Sequence, residues 1–174
     1  MFTRLNTKEI DVLKPFFIDP ELEASIRGLS RRSDVSPKWV SKTVSKLENK
    51  QVLEIEEFNR SKRVTTGRKF SEIKRRYNLD EIYDSGIIDF LEDQFRPDAL
   101  VLFGSFEKGE DSNDSDIDIA IINGRSQKVE LERFEKTLHR EIELIHIESA
   151  DEGEKTFRNS LANGTVLKGY LKLV

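Results

Sequence analysis

Leu102-Phe103-Gly104-Ser105-Phe106-Glu107-Lys108-Gly109, followed after residues 110–114 by Ser115-Asp116-Ile117-Asp118-Ile119-Ala120-Ile121-Ile122, is the stretch from which the rest of the chain is read. Ala99–Phe103 is a short continuous apolar run, the pattern of a strand buried on both faces, and Gly104-Ser105 breaks it. From Asp116 to Ile122 the sequence alternates with a period of two. That puts Asp116 and Asp118 on one face of a strand and Ile117, Ile119 and Ile121 on the other. Two carboxylates at that spacing repel each other, and burying them without a counter-charge is costly. A divalent cation removes the conflict, and magnesium favours a few carboxylate oxygens together with substrate phosphates. The glycine-serine corner has what a triphosphate needs: glycine permits close backbone approach, the free amides face anionic oxygen, and the Ser105 hydroxyl adds a donor.

Outward from this centre, Ser85 caps a helix with the apolar stripe Ile87, Ile88, Leu91 and Phe95, closed by Arg96-Pro97. Leu131, Phe134 and Leu138 mark the buried stripe of a second helix, with Glu130, Glu132 and Glu135 on its wet side. Arg140–Glu148 reads as a later strand, in which His146 is expected to be a packing residue. Asp111 and Asp114 are expected in a solvated loop. Asn163-Gly164 makes a turn before Thr165–Val174, a closing strand or an extended tail.

Upstream, Thr7 is placed as the cap of a helix through Leu13 and Phe17, ending near Asp19-Pro20. A second helix covers about Ala24–Arg32, and Ser36-Pro37 offers a cap followed by proline at the first position of a third. In that third helix Val40, Val44 and Leu47 form a buried stripe, leaving Ser36, Lys38, Ser41, Lys42 and Ser45 exposed. Trp39, the only tryptophan, is expected to pack at the helix start. Val52–Phe58 reads as a strand, Asn59-Arg60-Ser61 as a turn and Lys62–Thr66 as the return strand. Phe70–Tyr83, with Lys74-Arg75-Arg76, reads as helix and not as a flexible linker.

The 174 residues can hold one ordinary domain or two small ones. Residues 1–76 hold 18 Lys/Arg against 11 Asp/Glu, a balance of +7, whereas residues 77–174 hold 11 against 22, a balance of −11. This asymmetry divides the chain into 1–76, suited to a polyanion, and 77–174, which must recruit cations to handle phosphate. The absence of cysteine excludes disulfides, thiol nucleophiles and Cys-ligated zinc. No apolar stretch approaches a membrane span or a signal peptide, so no membrane partner is expected and a cytoplasmic protein is.

The Gly104-Ser105 corner followed by Ser115-Asp116-Ile117-Asp118 resembles the signature of the minimal nucleotidyltransferases of the DNA polymerase β superfamily, over roughly Ser85 to the C-terminus. Residues 26–66 resemble a winged helix-turn-helix, and the entire chain looks like archaeal proteins that join the two modules. The fold so implied is α+β: an N-terminal winged helix and a C-terminal mixed sheet with helices. The resemblance implies that Asp116 and Asp118 ligate two Mg2+ ions, with Mn2+ as an alternative. It also implies that Gly104, Ser105, Lys108 and Ser115 hold an NTP, ATP in the first instance. A third catalytic and metal-binding carboxylate belongs to the family, usually Asp; Ile142-Glu143-Leu144 fits its pattern with glutamate, and Glu141 on the same strand face is the rival. For DNA, the winged-helix resemblance implies phosphate contacts from Lys38, Ser41, Lys42, Lys46, Arg60, Lys62 and Arg63, although such modules also mediate protein contacts. The activity implied is transfer of a nucleoside monophosphate to a hydroxyl acceptor, a HEPN-type toxin being one candidate protein. The rival class is a DNA-binding regulator whose second module senses nucleotide or holds a homodimer together.

Overall fold

The structure is a computed structural model and describes residues 5–58, 61–149 and 152–171. It divides into two compact units, Met1–Ile73 and Lys74–Val174. Among the described residues no helix is long and apolar enough to cross a membrane.

The first unit contains α1 (Thr7–Ile18), α2 (Ile26–Ser33), α3 (Pro37–Asn49) and the antiparallel hairpin β1 (Leu53–Phe58) and β2 (Ser61–Thr66). The cap of α1 is Asn6 and not Thr7: the Asn6 side chain accepts from the Glu9 amide at 3.0 Å while Glu9 accepts from the Asn6 amide at 3.0 Å. This reciprocal pair satisfies two amides that helix geometry leaves without partners. Pro37 stands in the first turn of α3, where its missing N–H costs nothing. Val12, Leu13, Phe16, Leu29, Val40, Val44 and Leu47 are fully buried, as the apolar spacing of the three helices requires. Glu57 stands opposite Lys62 in the hairpin, and Glu56 opposite Arg63.

The second unit begins within α4 (Phe70–Ser85) and continues through α5 (Ile87–Phe95), β3 (Ala99–Phe103), α6 (Gly104–Lys108), β4 (Ile117–Ile122), α7 (Glu132–Leu138), β5 (Ile142–Ile147), α8 (Lys155–Ala162) and β6 (Thr165–Gly169). The sheet order is β5-β4-β3-β6, with β4 and β5 parallel and the other pairs antiparallel, so residues 165–169 form a closing strand and the sheet is mixed. Both of its faces are covered. Leu100, Leu102, Ile117, Ile119 and Ile121 pack with Ile82, Leu91, Phe95, Phe106 and Phe134. Val101, Phe103, Ala120 and Ile122 pack with Leu161 of α8, a helix that the sequence pattern did not disclose. This two-sided burial explains the uninterrupted apolar run of β3. His146, expected to be a packing residue, sets its ring edge-on to Phe95 at 4.9 Å, although it is exposed on the edge strand β5.

Candidate active site

The site is built where β3 ends and β4 begins. Because the two strands are antiparallel, Phe103, the last residue of β3, is paired with Asp118. The chain then turns at Gly104, whose φ of +81° is in the left-handed region. A β-carbon at this position would lie 2.0 Å from Asp118 Oδ2 and 3.1 Å from its Cγ. Glycine is therefore required twice, by its backbone angle and by the carboxylate lying against it. Ser105 follows in the first turn of α6, half-buried, with its hydroxyl unengaged among the described residues. The first-turn amides of such a helix have no partner within it.

Asp116 is exposed and precedes β4 by one residue, while Asp118 is half-buried within the strand. Across the parallel pair, Asp118 is in register with Glu143. Burial, then Glu143, then Asp116 push the Asp118 carboxyl above the ordinary aspartate range. The three acids thus share one electrostatic environment, and the register makes Glu143 the cross-strand neighbour of Asp118; the rival Glu141 lies outside β5, its carbonyl accepting from the Ile117 amide at 2.9 Å. Among the described residues no group of three His, Asp or Glu side chains is arranged to hold a metal ion by itself. The donor set present, carboxylate oxygens with Asp118 at their centre, fits a hard divalent cation whose shell is completed by water and phosphate.

Other predicted residues have more varied placements. Lys108 is exposed at the end of α6 without a described partner. The Ser115 hydroxyl accepts from the Ser112 amide at 2.9 Å, so it closes the loop that delivers Asp116. An open cleft of about 580 Å³ lies beside Asp116, lined among others by Asp114, Glu132, Glu135, Arg140 and Glu141. Asp111, expected in solvent, is 1% exposed. Its carboxylate is held by Asn78 Nδ2 at 2.8 Å and Lys74 Nζ at 3.1 Å, which makes burial affordable. Lys74 and Arg75, counted in the sequence with the basic N-terminal half, belong to the second unit: Lys74 turns inward, and exposed Arg75 pairs with buried Glu107, which also accepts from Thr165 Oγ1 at 2.8 Å. The stripe that α4 buries is Phe70, Lys74, Asn78 and Ile82.

In the first unit Lys38, Ser41 and Lys42 are exposed on α3, as is Lys62 on β2. Lys46 is engaged by buried Glu9, and Arg63 by Glu23. Arg60 lies outside the described residues. Trp39 is not a packing residue: it is 45% exposed, with Lys8 Nζ 4.2 Å and Lys42 Nζ 5.4 Å from the ring centroid.

The family model described as "Polymerase beta, Nucleotidyltransferase" matches residues 85–169. Comparison with curated proteins finds no match, nor does comparison with solved structures. The matched segment runs from the end of α4 to the end of β6 and contains the glycine-serine corner and all three acids. Residues 85–169 are therefore similar to the nucleotidyltransferase domain of the polymerase β type.

Proposed function

We propose that the second unit transfers a nucleoside monophosphate from an NTP, ATP in the first instance, to a hydroxyl acceptor, and that the first unit is a winged helix that binds DNA. The observation that carries the transfer reading is the contact between Gly104 and the Asp118 carboxylate, with Glu143 in register beside it. In this reading Gly104 and Ser105 hold the triphosphate against Asp116 and Asp118. Asp116, Asp118 and Glu143 would hold magnesium, which when bound neutralises charge on the phosphates and on the entering and leaving oxygens. Glu143 would take the role of the family's aspartate, its extra methylene displacing the carboxylate by about one bond. The cleft beside Asp116 is the side from which an acceptor, such as a protein hydroxyl, approaches. Labelled ATP, magnesium and cell extract, with wild type compared against Asp116→Ala/Asp118→Ala, test the reading. Label transferred by wild type alone supports it; equal labelling by both proteins, or none, removes it.

The DNA reading is supported by Lys8 and Lys42 beside exposed Trp39 and by exposed Lys38 on the same helix as Lys42, none with a described acidic partner. The acidic β1 residues opposite Lys62 and Arg63 offset the hairpin's charge and leave α3 as the principal contact. Trp39 is the only tryptophan, so its fluorescence reports binding directly. Titration with duplex DNA is expected to change that signal. Lys38→Ala and Lys42→Ala are each expected to reduce the log-affinity against log-salt slope by about 0.9. A slope unchanged in both variants counts against α3 as the contact.

A further inference from the structure

We propose that Asp111 is a positioning residue of the nucleotidyl-transfer site, acting with Lys74, Asn78 and Arg140 as a buried charged knot that fixes the segments carrying Gly104, Asp116 and Glu143; this rests on reading the second unit as a nucleotidyltransferase. Asp111 lies in the loop between α6 and Asp116. Its Oδ1 accepts from Asn78 Nδ2 at 2.8 Å, and its Oδ2 stands 3.1 Å from Lys74 Nζ and 3.4 Å from Arg140 Nη2. Lys74 Nζ also donates to the Asp111 carbonyl. Asn78 Nδ2 donates a second bond to the Phe106 carbonyl at 2.8 Å, holding α6 directly behind the glycine-serine corner. Arg140 donates to the His139 carbonyl at 3.0 Å and stands two residues before Ile142, where β5 begins and carries Glu143. One carboxylate thus joins α4, the loop between the corner and Asp116, and the approach to β5.

Stability alone does not account for this arrangement. The side chains of Lys74, Asp111 and Arg140 are 1%, 1% and 8% exposed, so all three charges have lost their water. Burial pulls the Lys74 ammonium below the usual lysine range, against the attraction of Asp111. Arg140 Nε is buried without a hydrogen-bond partner. Apolar residues of similar volume at such sites are commonly as stable or more so, because the desolvation cost disappears. What apolar side chains cannot do is fix direction, since dispersion contacts are non-directional whereas these hydrogen bonds are aimed. Direction is what a site of separately supplied groups requires: misplacement of about 1 Å can slow a reaction roughly a hundredfold.

The test uses the full chain and a triple variant, Lys74→Met/Asp111→Leu/Arg140→Met, which removes the charges together. Thermal unfolding, amide exchange and labelled AMP transfer at saturating Mg·ATP are measured on both proteins. The expected result is an unchanged or higher Tm, amide exchange at least tenfold faster over residues 104–118, and transfer about a hundredfold slower. Wild-type exchange over those residues at unchanged Tm overturns the proposal. If the triple variant does not fold, Asp111→Asn decides: faster exchange confined to 104–118 supports the knot, and wild-type exchange overturns it. Should wild type transfer no label, the nucleotidyl-transfer reading falls while the exchange measurement still decides whether the knot fixes these segments.

Discussion

Gly104 and Asp118 show how much a single residue pair constrains this molecule. A methyl group at position 104 would occupy the space of the Asp118 carboxylate and would also force an L-residue to φ +81°. Left-handed backbone costs a non-glycine residue about 1–2 kcal/mol before any overlap is counted. Gly104→Ala is therefore expected to lower stability by at least that amount and to displace Asp118. The check is chemical denaturation together with a Mg·ATP titration, in which binding should be lost. Asp118 carries the opposite kind of strain, its carboxyl raised by burial and by Glu143 and Asp116. A folded-state value above the unfolded one favours the protonated fold, so stability present in acid is lost as pH rises through the folded value. Asp118→Asn is expected to raise Tm at neutral pH without added metal, and to give no gain in acid below the ordinary aspartate range. Magnesium with ATP should raise the wild-type Tm and leave the variant's unchanged. A Tm for Asp118→Asn below that of wild type at neutral pH would contradict this account.

At the scale of elements, two helices owe their placement to polar groups that hydrophobic periodicity does not register. Helix α1 starts at Asn6 because Glu9 completes a reciprocal cap, and Glu9 is 2% exposed and engaged by Lys46 of α3. Burial pushes the Glu9 carboxyl up, but Lys46, the Asn6 amide and Lys50 together outweigh it and hold the group below the usual glutamate range. The stability it contributes is therefore present above its unfolded value and lost as pH falls through the folded one. Glu9→Gln is expected to lower Tm at neutral pH by an amount that vanishes in acid; a difference independent of pH would show that the charge is irrelevant. Helix α4 is the second case. Its buried positions recur every four residues, but two of the four are Lys74 and Asn78, so the apolar stripe visible in sequence is only Phe70 and Ile82. Their burial depends on Asp111 and the Phe106 carbonyl, partners many residues away. By contrast the buried stripe of α3 was legible, since the Val40, Val44, Leu47 spacing is a local signal that its burial reproduces, although the Ser36 side chain makes no capping bond and Trp39 is exposed.

At the scale of the molecule, nucleotide binding is expected to leave a local footprint. Mg·ATP at a hundredfold excess over its dissociation constant should add about 2.7 kcal/mol of stability to the fold that binds it. Protection from amide exchange should centre on residues 103–118 and on Ile142–Leu144, while α1 to α3 keep their exchange rates. Protection confined to the first unit would refute the assignment of the nucleotide to Gly104 and Asp118. The sequence alone located the proposed centre of this footprint, because the corner and the two aspartates lie within one short stretch. There the period of a strand and the freedom of glycine set the geometry with little help from elsewhere. Only the tertiary structure decided that Glu143 and not Glu141 stands opposite Asp118, that Asp111 is interior, and that Lys74 turns inward. Each of these depends on which distant segment arrives alongside, through sheet register or a buried ion pair, and neither is encoded by the spacing of residues along one element.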